Sequence, residues 1–166
     1  MRKLALFIGI ISVLLGLNAC EEIQKELIGE YHYQVSGHVI LNGVRDLILE
    51  PEKGSMEIIK KDDTTLMLIF FAEDGNTYST NATIEEEGLV LDPFYKLLPI
   101  NYYTHESTLL NGTVSVLHEE NYEVVVYGMG QLYDDAIIFT LQYNGEELNN
   151  GTKLIGKNIT LIAKTK

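Results

Sequence analysis

Residues 31–49, YHYQVSGHVILNGVRDLIL, decide how this chain folds. Tyr31, Tyr33, Val35, Val39 and Leu41 recur with a period of two, and His32, Gln34, Ser36 and His38 fall between them. Side chains alternate across a β-strand, so this spacing predicts one apolar and one polar face. Gly37 in the middle predicts a bulge or tight bend. Asn42-Gly43 supplies two residues that tolerate positive φ, the requirement of a tight hairpin turn, and Val44 to Leu49 reads as the return strand.

The same rhythm continues toward the C-terminus. Pro51 to Gly54 predicts a turn, followed by a strand at Met56 to Ile59. Lys61-Asp62-Asp63 turns into Leu66 to Phe71, a continuous apolar run suited to a strand buried on both faces. Asp74-Gly75-Asn76 ends it, and Tyr78, Thr80, Ala82 and Ile84 alternate in the next strand. Leu89 to Leu91 predicts a short strand ending at Pro93. Residues 92–107 (DPFYKLLPINYYTHES) carry two prolines, four aromatics and no clear period, and so read as a long apolar connection. Strands resume at Thr113 to His118, then, after a turn at Glu119 to Asn121, at Tyr122 to Tyr127. Ala136 to Tyr143 and Asn158 to Lys164 follow, separated by the polar segment 144–156. Tyr33-Gln34-Val35 and Tyr122-Glu123-Val124 lead into similar glycine and leucine spacings, which ordinary strand patterning explains. The sum is an all-β antiparallel meander of about 8–10 strands with essentially no helix, either an up-and-down barrel or a two-sheet β-sandwich.

The N-terminus has a different character. Met1-Arg2-Lys3 is positive, and Leu4 to Leu17 is almost wholly apolar. As a helix this stretch spans only about 21 Å at ~1.5 Å per residue, short of the roughly 30 Å hydrocarbon core, and therefore reads as a secretory signal. Leu17-Asn18-Ala19-Cys20 resembles the lipobox of bacterial lipoproteins. The resemblance implies cleavage before Cys20 and acylation of that residue, with acyl chains holding the protein to a membrane at ~0.8 kcal/mol per buried CH₂. Glu21 and Glu22 resemble the export signal that sends Bacteroidetes lipoproteins to the outer face of the outer membrane; surface and periplasmic placement both stay open. The expected organisation is a signal peptide at 1–19, a lipidated Cys20 with a short tether at 20–29, and one β-domain over 30–166. Ile23, Leu27 and Ile28 at helical spacing, with Gly29 as a stop, predict one helical turn in the tether.

Composition narrows the chemistry. The 166 residues hold 12 Lys+Arg against 24 Asp+Glu, a formal net charge of −12. That balance argues against nucleic acid, whose phosphates need cations to replace condensed counterions. The single Cys excludes a disulfide framework and thiolate zinc sites. His32, His38, His105 and His118 show no metal-ligand spacing, so neither metal nor cofactor is expected. No serine stands in a nucleophile-elbow context, and Glu85-Glu86-Glu87 and Asp134-Asp135 fall at turns where carboxylates are solvated. Asp62-Asp63 and Glu73-Asp74 lack a calcium-loop pattern, and Gly128-Met129-Gly130 has no helix after it to receive a phosphate. Asp63-Thr64-Thr65 resembles the O-glycosylation acceptor of Bacteroidetes. Catalysis is not expected.

The strand at Tyr31–Leu41, Gly54-Ser55-Met56-Glu57-Ile58, Gly88-Leu89-Val90-Leu91 before a proline, and Gly128-Met129-Gly130 before Leu132 together resemble the calycin-like, lipocalin-related domains of Bacteroidetes lipoproteins. That resemblance implies a barrel that binds a small apolar or amphipathic ligand. The aromatic connection offers the residues: Phe94, Tyr95, Leu98, Tyr102 and Tyr103 would line a pocket for such a ligand or a glycan, or else plug the end of the core. The competing reading is a monomeric accessory lipoprotein with a filled core that docks an envelope partner through a sheet face or edge. The lipobox reading makes a direct prediction: Cys20→Ser abolishes incorporation of labelled palmitate and moves the protein from the membrane to the soluble fraction.

Overall fold

A computed structural model describes residues 24–107 and 113–166. The signal segment, Cys20 and the start of the tether lie outside the described residues. Nine strands form a single antiparallel sheet: β1 (Gly29–Leu41), β2 (Arg45–Ile48), β3 (Glu52–Lys60), β4 (Thr65–Ala72), β5 (Thr77–Glu85), β6 (Gly88–Ser107), β7 (Thr113–Tyr133), β8 (Ala136–Glu147) and β9 (Lys153–Thr165). Each pairs with its sequence neighbour except that β3, after β2, returns to β1, and β9 closes the sheet by pairing with β1 from Tyr31↔Thr165 to Leu41↔Leu154. The meander is therefore a ring made of one sheet, which removes the two-sheet sandwich.

β2 and β3 share one edge of β1. β3 occupies Gly29 to Val35 and β2 occupies His38 to Leu41, so residues 45–60 behave as one strand interrupted at Leu49-Glu50-Pro51. The interruption lies beside Gly37, whose carbonyl accepts the Leu49 N–H at 2.9 Å. On the other edge, β9 carries an extra residue between its partners of Ser36 and His38, and Asn158 there takes φ 52°. A Cβ at position 37 would sit 2.8 Å from the Asn158 carbonyl oxygen and 2.7 Å from Ile159, so only glycine lets β1 approach this bulge. The hairpin turn follows its sequence signature, with Asn42 at φ 47° and Gly43 at 72°.

Inward residues of eight strands make one core, among them Tyr31, Tyr33 and Val35 of β1; Met56 and Ile58 of β3; Leu66, Leu68 and Phe70 of β4; Ala82 of β5; Leu89 and Leu91 of β6. Tyr122, Val124 and Val126 of β7, Phe139 and Leu141 of β8, and Ile159 and Leu161 of β9 belong to it as well. A helical turn at residues 24–27 caps one end, with Leu27 and Gln24 buried and the Gln24 amide bonded to the Asp62 carbonyl at 2.8 Å. Chain direction puts the turns at 61–64 and 134–135 at this capped end, and those at 42–44, 73–76 and 148–152 at the opposite, open end.

Five expectations need correction. Pro51 to Gly54 do not form a turn: Glu52, Lys53 and Gly54 open β3 and pair with Val35, Gln34 and Tyr33. Residues 92–107 are not a connection but the continuation of β6, since the strand runs unbroken from Gly88 to Ser107 with one extra residue between Leu91 and Phe94. That bulge shifts the alternation by one, so Phe94, Leu98 and Ile100 point inward while Tyr95, Leu97 and Tyr103 point out. A polar Lys96 on the inward face hid the period. Glu119 to Asn121 lie inside β7, paired with Pro99 to Asn101, rather than in a turn. β8 extends to Glu147 before a tight turn, so the polar segment 144–156 belongs mostly to strands. There the Glu147 carboxylate accepts the N–H of Asn149 at 2.7 Å and of Asn150 at 2.5 Å and locks the turn. Leu66–Phe71 is buried on one face only, with Leu66, Leu68 and Phe70 inside and Phe71 exposed. Phe139 has no exposure, so Phe139→Ala should cost about 3–5 kcal/mol in urea unfolding, while Val44→Ala at a position 89% exposed should stay within about 0.5 kcal/mol of wild type.

Candidate functional site

The ring is uneven because its strands differ in length. β4 stops at Ala72 and β5 starts at Thr77, whereas β2 and β6 continue toward the open end. β5 pairs with β6 only from Ala82↔Leu91 to Glu85↔Gly88. Above that, the two strands are held by the Asp92 bulge: the Thr80 hydroxyl donates to the Asp92 carbonyl at 2.7 Å and the Asn81 amide to its carboxylate at 2.8 Å. A window opens in the wall as a result. It is bounded by Leu47–Lys53 on one side, the β4–β5 turn below, and Tyr95–Asn101 on the other, and encloses a cleft of about 520 Å³.

The window's floor is polar and buried. Lys96, 9% exposed and on the inward face of β6, forms an ion pair with Glu52 at the start of β3. The hydroxyls of Tyr33 and Tyr78 both donate to the other oxygen of Glu52, the first at 3.0 Å. The Lys96 ammonium also lies 5.0 Å from the centre of the Tyr78 ring and 5.8 Å from that of Tyr143, so two π faces share its charge. Glu52 is thus bonded through both oxygens, which is the condition under which a buried ion pair is tolerated. Burial, with Glu52 nearby, pushes the Tyr33 and Tyr78 hydroxyls well above their ordinary range, and burial does the same to Tyr143. All three stay neutral across the physiological range, and Tyr33 and Tyr78 remain donors to Glu52.

Beneath this cluster Phe70, Tyr78 and Phe94 stack nearly parallel, with centroids 4.9 and 5.5 Å apart, and Tyr33 meets Phe70 edge-on at 5.5 Å. These rings fix Tyr78 and so fix its hydroxyl on Glu52. Above the window, the Arg45 guanidinium lies 4.4 Å over the Tyr102 ring, and Tyr102 stacks on His118 at 4.7 Å. The Tyr102 and Tyr122 hydroxyls both donate to Glu120, at 3.0 and 2.5 Å. This contact joins β2 to β6 across the open end and closes the window from above.

The five residues singled out from sequence take different places. Tyr95 and Leu98 line the cleft, Tyr95 at its rim and Leu98 on its inner wall. Phe94 belongs to the aromatic stack below it, Tyr102 to the contact above it, and Tyr103 points outward beside Leu117. Sequence reasoning passed over Glu52, Lys96, Tyr33 and Tyr78. The one available signal was a lysine at an inward position of β6, and it became visible only once the Asp92 bulge set the phase. The histidines stay apart: His38 bonds Asp46 at 2.9 Å, His118 bonds Thr104 at 2.8 Å, and His105 bonds Ser115 at 3.1 Å. Among the described residues, no three His, Cys, Asp or Glu side chains gather closely enough to hold a metal ion.

No protein-family model matches the chain, and no curated protein matches it significantly. Among solved structures, a redesigned β-barrel aligns over 86% of this chain and 94% of its own, at 14% identity and a TM-score of 0.37.

The Glu52–Lys96 pair gives a test of the floor. Lys96→Met leaves a carboxylate in a largely buried site and should cost about 3 kcal/mol or more in chemical denaturation. Adding Glu52→Leu removes the orphaned charge and should recover part of that loss. A double variant no more stable than Lys96→Met would show that the pair does not act as a unit.

Proposed function

We propose that the protein is a lipid-anchored binding protein of the cell envelope that holds a small amphipathic ligand, apolar or glycan-like, in the wall window, without catalysis. The observation that carries this reading is the window itself: a cleft of about 520 Å³ with apolar lips at Leu47, Leu97 and Pro99, Leu98 on its inner wall, and a fixed polar floor. Small-molecule sites have this form, roughly 300–1,000 Å³ with few, well-placed polar groups in an apolar lining. A ligand's polar end would meet the Tyr78 hydroxyl and the Glu52–Lys96 pair, and its apolar body would lie along the edge of β6.

The calycin-like resemblance and the lipobox support the same reading. An anchor at Cys20 would lie at most about 14 Å from Gln24 in extended chain at ~3.6 Å per residue. The helical turn at 24–27 caps the end opposite the window, so an acylated protein would turn its cleft away from its own bilayer, toward ligands arriving from outside it. The same N-terminal signals support placement at the outer membrane, facing either the cell surface or the periplasm.

The test is a thermal-shift and native mass spectrometry screen of the full mature chain against fatty acids, lysophospholipids and oligosaccharides. At least one class should bind, and Leu97→Asp, at a position half exposed on the rim, should weaken it about tenfold, or 1.4 kcal/mol, without lowering the melting temperature. A screen in which nothing binds would remove the proposal, as would binding unaffected by Leu97→Asp and by Lys96→Met.

A further inference from the structure

Above Leu98 and Tyr122 the β6–β7 hairpin leaves the ring. β8 pairs with β7 only from Tyr122 to Tyr133, and its continuation adds one bond, Leu148 N–H to the Asn121 carbonyl at 3.1 Å. From Pro99↔Asn121 to Ser107↔Thr113 the two strands pair only with each other among the described residues, an arm roughly 30 Å long at ~3.3 Å per residue. An isolated two-stranded ribbon is marginal in water. This one is anchored at its base, where Ile100 is buried and Tyr102 meets Arg45, and it exposes apolar side chains, with Tyr103 at 67%, Val114 at 49% and Leu117 at 46%.

The arm's two edges differ. Open strand edges are usually blunted with proline or lysine. The β6 edge of the arm starts at Pro99, and Arg45 of β2 lies over the Tyr102 ring beside it. The β7 edge, TVSVLHEEN at 113–121, has no proline and no lysine. Among the described residues it is therefore the less guarded edge of the arm. Its charge has one sign: from Leu97 to Thr152 the sequence contains no Lys or Arg, and the arm carries Glu106, Glu119 and Glu120. A second copy would bring the same acidic ribbon and a net charge of −12, so self-pairing meets like-charge repulsion.

We propose that the outer edge of β7, Thr113 to Glu120, receives an extended segment of a partner protein as an added strand, the segment alternating β-branched residues with Lys or Arg. Main-chain hydrogen bonds would supply affinity, and the acidic arm would select the basic segment. The window does not enter this inference, so either site can fail without the other.

The experiment is hydrogen exchange by mass spectrometry on the full mature chain in detergent micelles. The probes are an acetylated nine-residue peptide alternating Val or Thr with Lys, and its counterpart with Glu for Lys. The Lys peptide should slow exchange about tenfold or more in 113–121, and the Glu peptide should leave it unchanged. Successive amides of a strand face opposite edges, so of Val116→Pro and Leu117→Pro one loses only a free-edge N–H and should abolish the protection with the hairpin intact. Glu119→Lys, at an exposed position, should weaken Lys-peptide binding without a change in melting temperature. The inference is overturned if the Lys peptide gives no protection in 113–121, if the Glu peptide protects equally, or if Glu119→Lys leaves binding unchanged. It is equally overturned if that edge becomes protected by raising protein concentration alone, which would make the occupant a second copy.

Discussion

The pairing of β1 with β9 is the interaction on which the rest depends. It joins the first and last strands of the described sheet over nearly the full length of both, and converts a meander with two open edges into a ring. The closure has a local cost: β1 and β9 must curve past each other, and they do so through an extra residue near Asn158 set against the missing Cβ of Gly37. Such long-range pairing closes a large loop before it returns any contacts, so folding should be slow for a domain of this size.

A ring closed at one end and uneven at the other produces both candidate sites. Where β4 and β5 are short, the wall lacks two strands and the interior becomes accessible; where β6 and β7 are long, a ribbon stands free. The window and the arm are two consequences of one mismatch in strand length. The Arg45–Tyr102 contact links them, because it ties the base of the arm to the far side of the window.

The buried polar cluster gives a physical reason why the window stays open rather than collapsing. An apolar floor at this position would draw the lips together or fill with side chains. An ion pair bonded to two tyrosine hydroxyls and faced by two rings holds its shape, since each lost bond would leave a largely buried charge unsatisfied. Such a cluster trades some stability for a defined surface at the base of the cleft.

Much of the fold was legible in the residues themselves. Alternation in Tyr31–Leu41, the Asn42-Gly43 turn and the bend at Gly37 follow from backbone geometry that acts within a few residues, and all three stand in the structure as read. Segment 92–107 does not read locally as a strand because its period is phase-shifted by a bulge that no local pattern announces, and because a buried lysine there looks like a loop residue until its partner is known. That partner, Glu52, is 44 residues away and reaches Lys96 only across the closed ring. Local sequence therefore determined strand content, turn chemistry and the antiparallel class. Tertiary structure alone decided which strands outlast their neighbours, where the wall opens and which charges meet inside it, because these depend on register summed around the whole sheet.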